Sequence, residues 1–484
     1  MNNWPPQVRR QAELKKIESL LVQDPFNLDL LFQKATFLHA LGLLEDAKNA
    51  YMEILKSNPS HLGALDQLGS ILHGTNFRSA ALRVYRRLIS LLPDAAAPLV
   101  HLGNVLWDHD DHGGARIHYE KALLIEPDYP PAHQGMAAVL NELRENKAAF
   151  DHAKKGYQAR PTLTVPYRGR AEPLRVLVLG SVAGGNIPLS KAIDDRIFLT
   201  TVLAVEFQDP TQPLPGHQVV WNAIGEADLC GPALKLAATL LHNTRKSVIN
   251  PPDAVAGTGR SDNVRRLAGI KGLRVPKTVP FSRGTLVQAD AGELLASRGF
   301  RFPLLVRAQG FHAGQHFAMV NSPAELKSTV EAMPGMDFMV IEFMDARSAD
   351  GLIRKYRAMI IGGNLYPLHA AIGHGWKMHY FSAAMKENAA HRSEDKAFLL
   401  DMAAALGPPA VSALQNVAKI LGLDYAGIDF SVDAHGTVLF FEANATMIVT
   451  SPDGGDEWAY RRAPVQKVFD AVTELLRSRI KAAP

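Results

Sequence analysis

Prolines stand at Pro25, Pro59, Pro93, Pro127 and Pro161, an interval of 34 residues each time. A fixed period of this length means one supersecondary unit repeated and stacked, and it constrains the first third of the chain more than any other feature. Other positions keep the same register. Ala47, Ala81 and Ala115 share one phase, Tyr51, Tyr85 and Tyr119 a second, and Leu31, Leu65 and Leu99 a third, with Gly69 and Gly103 four residues beyond the last two leucines. In the unit LDQLGSILHGTNFRSAALRVYRRLISLLP (65–93), apolar residues recur every three or four positions on both sides of HGTN. That pattern predicts two amphipathic helices and a tight turn. Small Gly69 and Ala81 let the helices approach, Tyr85 fills the space between neighbours, and Pro93 stops the second helix. Residues 9–24 read as the second helix of an incomplete leading unit. In the unit from 130, His133 and Ala153 replace the leucine and tyrosine, as in a terminal capping unit.

These residues resemble the tetratricopeptide repeat, in units starting near 28, 62, 96 and 130, and place an all-α helical-repeat solenoid over residues 1–165. The resemblance implies a protein or peptide partner on the concave face. At 484 residues the chain is too long for one ordinary core, so further domains of ~150 residues must follow. Apolar residues make up 47% and charged residues 21%, with no apolar run near the ~18 residues that span a bilayer, so a soluble multidomain chain is expected. The amphipathic start MNNWPPQVRRQAELKK lacks the apolar stretch of an export signal, which predicts a cytoplasmic protein. A lone cysteine, Cys230, agrees with a reducing compartment and reads as structural. Net charge is +4, from 52 basic and 48 acidic residues without blocks of one sign, so neither nucleic acid nor membrane is an expected partner.

The segment RPTLTVPYRGRAEP (160–173) carries three prolines and no apolar periodicity, and it marks a domain boundary. Short apolar runs then alternate with helix-like stretches: LRVLVLG (174–180), LTTVLAVEF, HQVVWNAI and KSVINPP. They predict a small α/β domain over 172–250. SVAGGNIP (181–188) reads as a glycine-rich strand-to-helix connection. Gly180, Gly184 and Gly185 lack the G-x-G-x-x-G spacing, however, so no nicotinamide or flavin site is expected.

YAGIDFSVDAHGTVLFFEANAT (425–446) has two aromatic and β-branched runs flanking DAHG and predicts a β-hairpin. Glu442 and Asn444, two apart, share a face, and a turn near His435 and Gly436 brings Asp429 close to Glu442. Two carboxylates and an amide on an apolar strand suit Mg²⁺ better than zinc. The other reading is a solvated hairpin edge with ordinary acids. Upstream, FPLLVRAQGFHAGQH (302–316) is an apolar strand ending in Arg307, followed by a loop whose Gly310 and Gly314 can bring backbone N–H groups over phosphates. MVIEFMDARSADGLIRKYRAMIIGGNLYPLHAA (339–371) supplies a strand ending in Glu342, a connector, and a strand carrying Arg357.

Phosphate-covering loop, acidic strand, arginine strand and a D…E-x-N hairpin, with the lead-in SVINPPDAV…GLRVPKTVPF, resemble the ATP-grasp superfamily. Within it, the likeness is to ligases of the ribosomal-S6-modification and glutathione-synthetase type, and it covers roughly 174–480. The implied fold is an α+β ATP-grasp domain over 251–480, preceded by the small α/β domain of 172–250. The resemblance implies ATP with its adenine against Glu342, Phe343 and Met344, and Mg²⁺ held by Asp429, Glu442 and Asn444. Arg357 is implied to steady the γ-phosphate or acyl phosphate, and Arg307 falls where the family has a phosphate-binding lysine. Lys377 and His379, in GHGWKMHY, fall at the family's acceptor loop, with Trp376 between substrate contact and lid.

The implied reaction is ATP- and Mg²⁺-dependent carboxylate–amine ligation through an acyl phosphate. It needs no side-chain nucleophile, and the sequence offers no Ser/His/Asp or Cys/His arrangement. Two alternatives stay open: a kinase of the same architecture, and a nucleotide-sensing binding protein in which the repeats do the work. In SDNVRRL (261–267) the family often has Asp-Lys, and Asn263 takes the lysine's place. One phosphate contact is therefore missing or passes to Arg260, Arg265 or Arg266. His312, His316, His369, His374 and His379 crowd the same half without H-E-x-x-H spacing, which favours substrate contacts or loop polarity over zinc.

Overall fold

A computed structural model describes residues 6–75, 77–169, 171–189, 192–311, 314–378, 383, 385–452 and 455–482. The chain divides into two compact units, one of residues 1–184 with 194–220 and one of 185–193 with 221–484.

Among the described residues the first unit begins with nine helices. They are α1 (Pro6–Gln23), α2 (Leu28–Ala40), α3 (Leu44–Ser57), α4 (Leu62–Gly74), α5 (Arg78–Leu91), α6 (Ala96–Trp107), α7 (His112–Ile125), α8 (Pro130–Glu142) and α9 (Asn146–Tyr157). Pro25, Pro59, Pro93 and Pro127 each stand two residues past the end of a helix, where a residue without an N–H cannot extend it. The phased residues form the core, since Ala47, Ala81 and Ala115 are fully buried with Tyr51, Tyr85 and Tyr119. A Cβ on Gly69 would stand 2.6 Å from the Tyr85 ring, and one on Gly103 2.6 Å from the Tyr119 ring, so glycine is what admits each tyrosine.

Strands β1 (Thr162–Thr164), β2 (Leu174–Gly180) and β3 (Phe198–Ala204) follow. The proline-rich segment is therefore not a bare linker, because β1 pairs antiparallel with β3, which runs parallel to β2. Three residues between prolines carry too little pattern to announce a strand. No helix follows β2 among the described residues of 181–188, which form turns and a bridge instead. Phe207 stacks on Phe150 and Tyr157 of α9, at 5.8 and 6.4 Å, and so covers the last repeat.

That repeat holds a histidine pair, His133 buried and His152 half-buried. His133 Nδ1 lies 2.8 Å from His152 Nδ1, and His133 Nε2 lies 2.9 Å from the Pro127 carbonyl. Burial pushes the His133 imidazole below its ordinary pKa of 6.5, and Lys155 adds to this against the Pro127 carbonyl and Asp128. The unfolded chain then binds more protons than the native one as pH falls below 6.5. The contribution of His133 to the stability of this repeat is complete above 6.5 and is lost as pH falls through its lower, native pKa. Hydrogen exchange of α8 and α9 amides, corrected for intrinsic rates, should lose protection, by up to about tenfold, between pH 7.5 and 5.5. His133→Leu, which restores the repeat's leucine, should flatten that response.

β4 (Val219–Asn222) begins in the first unit and leads into the second, to α10 (Gly231–Leu241), β5 (Val248–Ile249), α11 (Pro252–Ala256), α12 (Arg260–Leu267), β6 (Leu273–Arg274) and β7 (Thr278–Ser282). Next come α13 (Arg283–Leu286), α14 (Ala291–Ser297), β8 (Leu304–Ala308), β9 (Phe317–Val320), α15 (Pro323–Glu331) and β10 (Asp337–Glu342). The chain closes with β11 (Ile353–Ile361), β12 (Asn364–Gly373), α16 (Ala389–Leu400), α17 (Met402–Leu406), α18 (Pro408–Leu421), β13 (Tyr425–Val432), β14 (Val438–Asn444) and α19 (Arg462–Lys481). Strands β6 to β14 make two sheets, an antiparallel one in the order β7-β10-β8-β9 and a mixed one in the order β12-β11-β13-β14-β6. The whole is a helical solenoid followed by a mixed α/β region. Among the described residues no helix is long and apolar enough to cross a membrane.

Candidate functional site

The hairpin predicted over 425–446 is β13 and β14, paired antiparallel with Asp429 opposite Glu442. Its turn is closed by Asp433, whose Oδ1 accepts from the N–H groups of His435 and Thr437 at 2.8 and 2.9 Å, and by Gly436 at φ +79°. On the other side of β13, Arg357 of β11 pairs with Asp429. Arg357, Asp429 and Glu442 thus stand in one row across three strands. Both neighbouring registers break there. The pairing shifts between Asp429 and Phe430, and again between Arg357 and Ala358 against β12. Bulges of this kind re-aim side chains at a site. Here they present consecutive residues, Phe440 with Phe441 and Leu368 with His369, to one cavity.

The cavity holds about 570 Å³, and among the described residues everything lining it belongs to the second unit. Its volume is that of a small-molecule or nucleotide site. Of the residues singled out in the sequence, Arg307, Gly314, Glu342, Phe343, Met344, Arg357 and Lys377 line it, as do Asp429, Glu442 and Asn444. Gly310 lies outside the wall, and His312 and His379 lie outside the described residues. Of the other histidines His369 lines the cavity, whereas His374 is exposed. No group of three or more His, Cys, Asp or Glu side chains among the described residues is placed to share a metal.

Asp429, 2% exposed, accepts from Arg357 Nε and Nη2 at 2.6 and 2.9 Å and from Lys355 Nζ at 2.8 Å. Burial alone would raise its carboxyl, but the Lys355 and Arg357 charges outweigh it and hold the group well below the carboxylate range. Glu442 follows the same rule. Burial raises it, and Arg260 with Arg307 more than offset this, so it too is ionised at neutral pH. Its Oε1 accepts from Arg260 Nη2 at 2.8 Å and from Asn444 Nδ2 at 3.1 Å. The Asn444 carbonyl oxygen is turned to the Thr446 N–H and hydroxyl, both at 3.0 Å. Two ionised carboxylates are oxygen donors of the kind a hard divalent cation takes, while the Asn444 carbonyl oxygen is engaged by Thr446.

Arg307 and Lys377 add further cations to the lining. Arg307 donates to the Phe311 carbonyl at 2.7 Å and lies over the Phe317 ring, and Trp376 meets that ring edge-on at 5.2 Å. Lys377 donates to the Phe317 carbonyl at 3.1 Å. Glu342 accepts from Arg274 Nη2 at 2.7 Å and from the Lys277 N–H at 3.1 Å. Lys355, Glu226 and Asp228 also line the cavity and went unread in the sequence. Lys355 was findable, since it stands two before Arg357 on one strand and shares its face. Glu226 and Asp228 sit in an irregular loop after β4 and carry no pattern.

A family model described as "Tetratricopeptide repeat" matches residues 28–61. The N-terminal region carries tetratricopeptide repeats. Among solved structures, "Crystal structure of MamA" is 21% identical, covering 32% of this chain and 93% of that one, at a TM-score of 0.28. MamA from Desulfovibrio magneticus RS-1 is 19% identical over 31% of this chain and 87% of that one, at 0.29. A thermophilic tetratricopeptide-repeat protein of Thermus thermophilus is 21% identical over 32% of this chain and 84% of that one, at 0.28. No curated protein matches the sequence. Tetratricopeptide repeats point to a protein partner for this region.

Proposed function

We propose that the second unit is an ATP- and Mg²⁺-dependent carboxylate–amine ligase of ATP-grasp architecture, and that the tetratricopeptide repeats hold the protein or peptide on which it works. The observation that carries this reading is the row Arg357, Asp429 and Glu442 on the wall of a nucleotide-sized cavity that Arg307 and Gly314 also line. The donor set fits Mg²⁺, which Asp429, Glu442 and Asn444 would hold and which would neutralise charge on the phosphates. ATP's adenine is assigned to the apolar wall at Phe343 and Met344, beside Glu342.

In this reading Lys355 and Arg357 keep Asp429 ionised. Arg307 and Arg357 orient the transferring phosphoryl group and offset its charge while the substrate carboxylate attacks it. Exclusion of water by the bound substrates would limit hydrolysis of the acyl phosphate before the amine displaces phosphate. The test is incubation of the full chain with Mg·ATP and a panel of carboxylates and amines, followed by measurement of ADP, phosphate and amide. Turnover without divalent metal rejects the assignment. Labelled γ-phosphate retained on the product, with no phosphate released, replaces the ligase by a kinase.

A further inference from the structure

Lys355 and Arg357 stand two apart on β11 and share its face toward the cavity. Both hold Asp429, and they hold it differently. Arg357 spans the carboxylate as a fork, Nε to Oδ1 at 2.6 Å and Nη2 to Oδ2 at 2.9 Å. Lys355 Nζ adds a single contact, to Oδ2 at 2.8 Å. A carboxylate oxygen offers two lone pairs, so these two donors saturate Oδ2. A divalent cation therefore reaches that oxygen only when one of the two donors leaves it.

The donors are unequal. Removing Arg357 breaks two charge-assisted bonds at once and parts a planar fork from the carboxylate that matches it. Removing Lys355 breaks one, and its ammonium is a point charge on a flexible four-carbon stem that can turn into the cavity it already lines. A dication arriving at Oδ2 repels the ammonium there, so the two exclude one another at this oxygen. The freed charge stays next to Arg357, on the face assigned above to the transferring phosphoryl group, where an anionic oxygen is the partner that replaces the carboxylate.

We propose that Lys355 is an exchangeable cation: its ammonium holds Asp429 Oδ2 in the resting chain, is displaced by the divalent ion, and passes to the phosphates of the nucleotide. The assignment rests on the ligase reading for the nucleotide, but the exchange can be measured without turnover. In calorimetry of the full chain with Mn²⁺ alone, Lys355→Met should bind the ion about tenfold more tightly than wild type, the scale of one charge-assisted hydrogen bond. With Mn²⁺ saturating, the same variant should bind a non-hydrolysable ATP analogue about tenfold more weakly. A purely structural role for Lys355 does not move the two affinities in opposite directions. In the wild type, acetylation of Lys355 by acetic anhydride, read by peptide mass spectrometry against the exposed Lys327, should quicken severalfold when Mn²⁺ is added. An unchanged acetylation rate overturns the exchange whatever the affinities, because it leaves the ammonium on Asp429. Equal Mn²⁺ affinity in variant and wild type overturns it as well, as does a variant weakened for both ligands. An unchanged affinity for the analogue overturns the passage to the phosphates. Exchange shown by both measurements, in a protein that makes no ADP with any carboxylate, leaves the role of Lys355 standing and removes the ligase reading.

Discussion

Asp429→Ala is expected to destabilise the second unit by about 3–5 kcal/mol, the usual result of removing one partner from a buried charge cluster. The substitution strands Lys355 and Arg357, both directed at the missing carboxylate. A hydrophobic replacement elsewhere in β13 would lose packing alone, whereas here two cations lose the group that offsets their desolvation. Urea denaturation followed by hydrogen exchange of β11 and β13 amides measures the effect. Midpoints equal to those of wild type would show that the row is not holding the sheet. The sign with pH also follows. The carboxyl sits below its ordinary pKa of 3.8, so its contribution is complete above that value and is lost as pH falls through the lower, native one.

In the proposed ligase, Glu442→Gln should act on turnover. The amide keeps the shape of the side chain and an acceptor for Arg260, so the fold should persist with a small shift in melting temperature. Removing one negative charge from the donor set should lower Mg²⁺-dependent ADP release by on the order of 10³, the scale of losing a charge-stabilising element in phosphoryl transfer. Steady-state rates over a range of Mg²⁺ concentrations decide the point. A rate unchanged at all of them would remove Glu442 from the metal assignment.

The repeats were fully legible because their chemistry is local. A helix stop, a small residue and a tyrosine recur at fixed spacing, and each does its work within its own or the next unit. The hairpin was legible for the same reason, since alternation and a tight turn fix which residues face which. What escaped was non-local. No pattern within 160–173 shows that Thr162–Thr164 will find Leu203–Thr201. Glu226 and Asp228 lie more than 200 residues before Glu442 and become its neighbours only through the Arg260 guanidinium. In the sequence Asn263 carries only a comparison, standing where the resembled family often has a lysine. In the folded chain it is a clamp on the Ala443 carbonyl, between two cavity residues of β14, and that role can be seen only once β14 is beside α12.

The row of Arg357, Asp429 and Glu442 has a meaning for folding as well as for chemistry. Side chains alternate along a strand, so slipping β13 by one residue would bring Ile428 or Phe430 into the row and turn Asp429 to the opposite face. Arg357 and Lys355 would then face apolar side chains, and such a sheet would reopen. The charges therefore proofread strand pairing as the sheet assembles, admitting one alignment and rejecting its neighbours. Sequence changes that weaken the row will therefore show first as misassembled protein.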